Sequence, residues 1–231
     1  MSLRPAPDQG TFDREPEVYG RSHLGNPLEV WHAGESCHLL LFAAIHGDEG
    51  ETTSALSRAL RQLTAPSPHC AVVLTANPDG LIRGTRANAR GVELNRNFPT
   101  RDWRPDPVLH RATLDSPREV ALSPGNEPGS EPETKALIGL IEELEPHAVV
   151  ALHAPLACID DPNDSDLGRW LAERTGLPLV PDVGYPTPGS FGTWAAEKGL
   201  PVVTYEFGLT TPDDATHEHV PVLVGLLTRP L

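Results

Sequence analysis

The apolar run Leu39-Leu-Leu-Phe-Ala-Ala-Ile45 breaks off at His46-Gly-Asp-Glu49-Gly, and Thr52 to Leu63 then carries apolar residues near helical spacing. A short unbroken run bounded by glycine and charge specifies a strand buried on both faces, the kind found in parallel sheets. His46 and Glu49 therefore fall in the strand-to-helix turn, three residues apart, a spacing that can bring two side chains onto one face of a helical turn. Open α/β sheets bind their ligands outside the carboxyl ends of the strands, where this turn lies. An imidazole and a carboxylate there could share a cation, with Gly47 and Gly50 letting the backbone bend closely around it. Two solvated side chains are the simpler alternative.

The pattern recurs along the chain. His69-Cys-Ala-Val-Val-Leu stops at the turn signal Asn77-Pro-Asp-Gly80, so strand, helix and strand make a βαβ unit with parallel strands. A helix is predicted over about residues 131–145, with Ser130 as cap, Glu133 reaching back and Pro132 in its first turn. His147-Ala-Val-Val-Ala-Leu-His153 follows, and again a strand ends on a histidine. Two histidines in one topological position, one with a carboxylate beside it, point to a His46, Glu49, His153 zinc site with an open fourth position. In the last strong strand, Pro201-Val-Val-Thr-Tyr-Glu206-Phe-Gly208, an unpartnered carboxylate is costly. Glu206 is either neutralised by an arginine or held beside the metal as a general base with a shifted pKa.

Helices near 167–175 and 193–198 and a C-terminal helix complete the pattern. The expected fold is α/β: one domain over residues 29–231, with a mixed, mostly parallel central sheet flanked by helices, behind a loosely structured lead-in at 1–28. His217 and His219 read as solvated histidines on the C-terminal helix. Residues 102–130, rich in Pro, Asp, Ser and Gly, read as a long surface excursion, and such loops are usually functional or mobile. Asp160 to Asp166 lacks the central Gly and closing Glu of an EF-hand and reads as an acidic loop and helix start.

A formal net charge of -14 over 231 residues argues against nucleic acid as a partner. Within this anionic chain, six arginines (83, 86, 90, 96, 101 and 104) face only Glu93 and Asp102 between Arg83 and Arg104. Guanidinium forks suit carboxylates, so a carboxylate-bearing substrate is expected. The polar amino terminus offers no apolar stretch for export or membrane anchoring, and Cys37, Cys70 and Cys158 are too few and too scattered for a disulfide scaffold. A cytoplasmic protein is expected.

Taken together, His46-x-x-Glu49, Asn77-Pro-Asp-Gly80, Asn95-Arg96-Asn97-Phe98, Ser130-Glu-Pro-Glu133, His153 and Thr204-Tyr-Glu206-Phe-Gly208 resemble the zinc carboxypeptidase family. The Arg86 to Pro99 segment and Gly184-Tyr-Pro-Thr-Pro-Gly-Ser look most like its bacterial murein peptide amidase group. That group cleaves the γ-D-glutamyl to meso-diaminopimelate (Dap) bond of cytoplasmic murein tripeptide, L-Ala-γ-D-Glu-meso-Dap, during cell-wall recycling. The resemblance implies one Zn²⁺ per chain on His46, Glu49 and His153, with Glu206 as the catalytic carboxylate. It further implies Arg86 as the oxyanion-stabilising arginine, Asn95 and Arg96 as the substrate-carboxylate clamp, and Tyr185 near the family's mobile active-site tyrosine. The chain is short for the family, and its Ala154-Pro155 departs from the digestive enzymes, so general carboxypeptidase activity is the alternative. A catalytically silent peptide-binding module is the alternative of another class.

Overall fold

Short strands that bury both faces need helices above and below, and the chain supplies them in sequence. The computed structural model describes residues 12, 15–32, 36–63, 67–111 and 119–229. Its strands are β1 (Glu17–Arg21), β2 (Pro27–Val30), β3 (Leu39–Phe42), β4 (Cys70–Val73), β5 (Val108–Arg111), β6 (Glu119–Leu122), β7 (Ala148–His153), β8 (Leu156–Asp160), β9 (Leu179–Val180) and β10 (Val202–Gly208). The helices are α1 (Gly50–Gln62), α2 (Pro78–Arg83), α3 (Pro132–Leu144), α4 (Asp166–Thr175), α5 (Phe191–Lys198) and α6 (Pro212–Thr228).

Six strands form the central sheet in the order β4-β3-β7-β10-β8-β9. Every neighbouring pair is parallel except β10 with β8, so the sheet is mixed and mostly parallel. Strand alternation divides the core in two. Leu39, Leu41, Val150, Leu152, Tyr205 and Phe207 pack with α1, α4 and α6 on one face. Leu40, Phe42, Val149, Ala151 and Val202 pack with α3 and α5 on the other. No helix among the described residues is long and apolar enough to cross a membrane.

Several local expectations change. Asn77-Pro-Asp-Gly80 starts a helix: the Asn77 side chain accepts the Gly80 N–H at 2.9 Å, with Pro78 in the first turn. Asp79 then accepts from Ser22 Oγ, Leu24 N–H and Asn26 Nδ2 at 2.7–3.0 Å. Those three residues lie in the turn of the β1–β2 hairpin, so this part of the lead-in is bound to the domain, and the boundary at residue 28 falls inside β2. The first eleven residues, with 13 and 14, lie outside the described ones.

The capping box at the head of α3 is absent. Glu131 takes the N-cap position without a side-chain bond, and Ser130 Oγ donates to Glu131 Oε1. Glu133, buried at the head of the helix, instead accepts from His23 N–H at 2.8 Å and Asn88 Nδ2 at 3.1 Å, so its oxygens are taken by distant donors.

The 102–130 excursion contains a hairpin, β5 against β6, whose connecting residues 112–118 lie outside the described ones. Its return end is held by Asn97, whose Nδ2 donates to Pro124 O at 2.8 Å and whose Oδ1 accepts Glu131 N–H at 3.1 Å.

His217 is exposed, as expected, but His219 is buried. Its Nδ1 lies 2.7 Å from Tyr205 Oη, and its ring stacks on Phe207 with centroids 3.8 Å apart. Burial pushes the imidazole down to about 4. Below roughly pH 6.5 the unfolded chain therefore takes up a proton that the folded chain refuses, and stability falls by about 1.4 kcal/mol per pH unit toward the lower value. In His219→Gln this share of the acid sensitivity is expected to vanish. Urea midpoints measured at about pH 7 and about pH 5 should then differ less than in the unsubstituted protein.

Candidate active site

The site is assembled where β3, β7 and β10 end. β3 leaves the sheet through Ala44, which is buried at φ 46°, a left-handed conformation costing a non-glycine residue about 1–2 kcal/mol. Gly47 follows, pressed so closely on α2 that a Cβ would collide with the backbone of Gly80, Leu81 and Thr85. Asn77 locks this turn: its Nδ2 donates to Ile45 O at 3.2 Å and to Arg86 O at 3.4 Å, joining the two loops that carry His46 and Arg86.

His46 Nδ1 lies 2.7 Å from Glu49 Oε1, and His153 Nδ1 lies 3.1 Å from both Glu49 Oε2 and His46 Nδ1. All three residues are buried, and they form a group that could hold a metal ion. Two imidazole nitrogens and a carboxylate turned toward one point are a donor set that suits zinc. Behind them, Glu93 Oε1 lies 3.0 Å from His46 Nε2. A carboxylate on the far nitrogen is the arrangement that fixes the tautomer and ring orientation of a ligating histidine.

Arg86 spans the carboxylates, with Nε 2.6 Å from Glu93 Oε2 and Nη1 3.3 Å from Glu49 Oε1. Burial and Arg86 oppose a charge on His46, yet Glu49 and Glu93 outweigh them and push it up to about 9. Against the upward push of burial, His46 and His153 hold Glu49 well below the usual carboxylate range. Glu93 is held down in the same way by His46 and Arg86.

Parallel register sets Glu206 of β10 directly beside His153 of β7. Glu206 is 6 % exposed, and no arginine neutralises it among the described residues. Its Oε2 accepts the Leu156 N–H at 3.4 Å. Burial raises its pKa above the ordinary glutamate value, an effect that the nearby His153 opposes.

A cavity of about 1360 Å³ opens over these groups, and all eight residues singled out in the sequence line it: His46, Glu49, Arg86, Asn95, Arg96, His153, Tyr185 and Glu206. Asn95 is fixed by its Oδ1, which accepts the Phe191 N–H at 2.8 Å, and Arg96 Nη1 donates to Asn95 O at 2.6 Å. Tyr185 stands at the rim, half exposed.

A profile of the zinc carboxypeptidase family matches residues 15–159. Murein peptide amidase A of Escherichia coli (strain K12) is 46% identical over 228 residues, 97% of this chain and 94% of the relative. The chain belongs to the zinc carboxypeptidase family.

Its family relatives extend to the protein of the same description in Vibrio campbellii, 42% identical over 98% of this chain and 93% of that one. Among solved structures, murein-tripeptide amidase MpaA from Escherichia coli O157 superposes with a TM-score of 0.93 at 44% identity, covering 100% of this chain and 99% of that chain. Carboxypeptidase A from Helicoverpa armigera superposes with a TM-score of 0.68 at 18% identity over 92% of this chain and 68% of that one, which speaks to the fold alone.

The arginine cluster does not act as one field. Arg86 and Arg96 reach the cavity, Arg90 pairs with Glu131 at 3.7 Å, and Arg83, Arg101 and Arg104 are exposed. Glu93 was not picked out from the sequence as a site residue. Its sequence signal is an acid two positions before Asn95, one of only two among the six arginines between Arg83 and Arg104. Glu93→Gln is expected to weaken zinc binding about 10–100-fold, read by competition with a chromogenic chelator.

Proposed function

We propose that this chain is a zinc-dependent amidase that hydrolyses the γ-D-glutamyl–meso-Dap bond of murein tripeptide in the cytoplasm, as a step of cell-wall peptide recycling. One observation carries the reading: a His46, Glu49, His153 group that could hold a metal ion lies with Glu206 under a cavity walled by two arginines, in a chain similar to murein peptide amidases over almost its whole length. Cys37, Cys70 and Cys158 are free and buried, as suits a reducing compartment.

His46, Glu49 and His153 would hold the zinc, which when bound lowers the pKa of a water and polarises the scissile carbonyl. Glu206 accepts the proton of the attacking water and returns it to the leaving amine. Arg86 turns its guanidinium to the oxyanion that develops on the acyl carbon. Asn95 and Arg96 hold the carboxylate of the leaving amino acid, and the Tyr185 hydroxyl is available at the rim.

Incubating the zinc-loaded protein with L-Ala-γ-D-Glu-meso-Dap should release Dap by mass spectrometry, with no release from Glu206→Gln. Cleavage of ordinary C-terminal peptides alone would replace the amidase with a general carboxypeptidase, and silence on every substrate with zinc bound would leave a peptide-binding module. Arg86→Ala is expected to cut kcat about 100–1000-fold, roughly 3–4 kcal/mol in the barrier, with metal content unchanged. Loss of zinc in that variant would refute the oxyanion role.

Glu206 serves as a base only when ionised. Its raised pKa places the acid limb of the kcat/KM profile above about pH 4.3, with activity lost as the pH falls through it. A profile flat down to that pH would exclude Glu206 as the base.

A further inference from the structure

The constellation for catalysis leaves one wall of the cavity unexplained. Asp160 lies on β8, and the antiparallel register pairs Asp160 with Thr204 and Cys158 with Glu206. Asp160 therefore shares the cavity face of the sheet with Glu206, one strand further from His153 and about 5 Å across the sheet from β10. It is partly buried, and no cation pairs with it among the described residues. Burial, and after it the carboxylates of Glu206, Asp182 and Asp161, push it up to about 6 against a smaller opposing effect of His153. Asp161 is occupied, accepting Ser165 Oγ at 2.6 Å and Ser165 N–H at 2.7 Å. Asp182 accepts the Gly184 N–H at 2.7 Å. Asp160 has no such occupation, and it faces the substrate space.

The proposed reaction fixes where the leaving amino acid must lie. Its nitrogen is protonated by Glu206, and its carboxylate is held by Asn95 and Arg96, so its side chain remains to be placed. Leaving the Glu206 position along the cavity face, that side chain runs across β10 and meets Asp160 on β8 within one strand spacing. A partly buried carboxylate without a partner is stabilised by a cation brought to it, and a neutral side chain would leave it desolvated and uncompensated.

We infer that Asp160 receives the side-chain ammonium of the leaving amino acid and so selects Dap against residues of similar length that lack that ammonium. The assignment rests on the amidase reading above and adds to it the chemical class of the leaving side chain: one carrying an ammonium group.

The test compares two tripeptides on the zinc-loaded full chain: L-Ala-γ-D-Glu-meso-Dap and its analogue ending in L-2-aminopimelate, which keeps every carboxylate and lacks only the side-chain ammonium. The unsubstituted protein is expected to prefer Dap by roughly 30-fold in kcat/KM, as a hydrogen bond to a charged group implies. In Asp160→Asn that preference should collapse to within about 3-fold, chiefly through KM, and Asp160→Glu should recover part of it. An unchanged preference in Asp160→Asn, or no preference in the unsubstituted protein, would overturn the assignment and leave the amidase standing. Loss of both activities in Asp160→Asn would overturn it too, placing Asp160 in the support of the fold or of Glu206. Failure of the unsubstituted protein to cleave either tripeptide would instead remove the amidase reading itself, and the assignment with it.

Discussion

The hydrogen-bonded register of β3, β7 and β10 is the constraint on which the rest of the molecule depends. Parallel pairing sets Glu206 directly beside His153 and brings the end of β3, from which the chain runs on to His46, alongside β7. Because side chains alternate in a strand, a slip of one residue in β10 would turn Glu206 into the opposite core, where Tyr205 and Phe207 pack. The apolar layers on both faces make that slip prohibitive. The core thus serves as the gauge that sets the distance between Glu206 and His153.

Charge is the second constraint. Five ionisable groups, His46, Glu49, Arg86, Glu93 and His153, crowd together with little access to water. Such a cluster is tolerable only when nearly every charge meets its opposite. Arg86 and His46 balance Glu49 and Glu93, while Glu206 and Asp160 remain outside that balance and are shifted in the direction burial dictates. Both carboxylates line the cavity.

Much of this was legible in the sequence because strands buried on both faces leave unbroken apolar runs, and a polar residue ending such a run has few roles. His46, Glu49, His153 and Glu206 stood out for that reason, and the βαβ unit followed from the same runs. Other features were hidden because their meaning is made by distant partners. Asn77-Pro-Asp-Gly80 reads locally as a turn, and only the buried loops of His46 and Arg86 make it a clamp. Glu133 has the spacing of a capping residue, yet Asn88 and His23 claim its oxygens. His219 sits among polar neighbours on α6, and the apolar floor that buries it comes from β10. Asp160 lies in a run of acids, and only its pairing with Thr204 separates it from the structural Asp161.

Asn97 carries a consequence for how such a chain can diversify. Its amide holds the returning end of the 102–130 excursion two residues after Asn95 and one after Arg96, so both ends of the excursion are stitched to the same short segment. What lies between can lengthen at little entropic expense, about 0.6 kcal/mol for each doubling of a flexible loop. Asn95 and Arg96 would not move with it. The β5–β6 hairpin, which lends Val108, Leu109 and His110 to the cavity wall, is therefore an interchangeable panel on a fixed frame. Through it one wall of the cavity could be reshaped while Asn95 and Arg96 stay where they are.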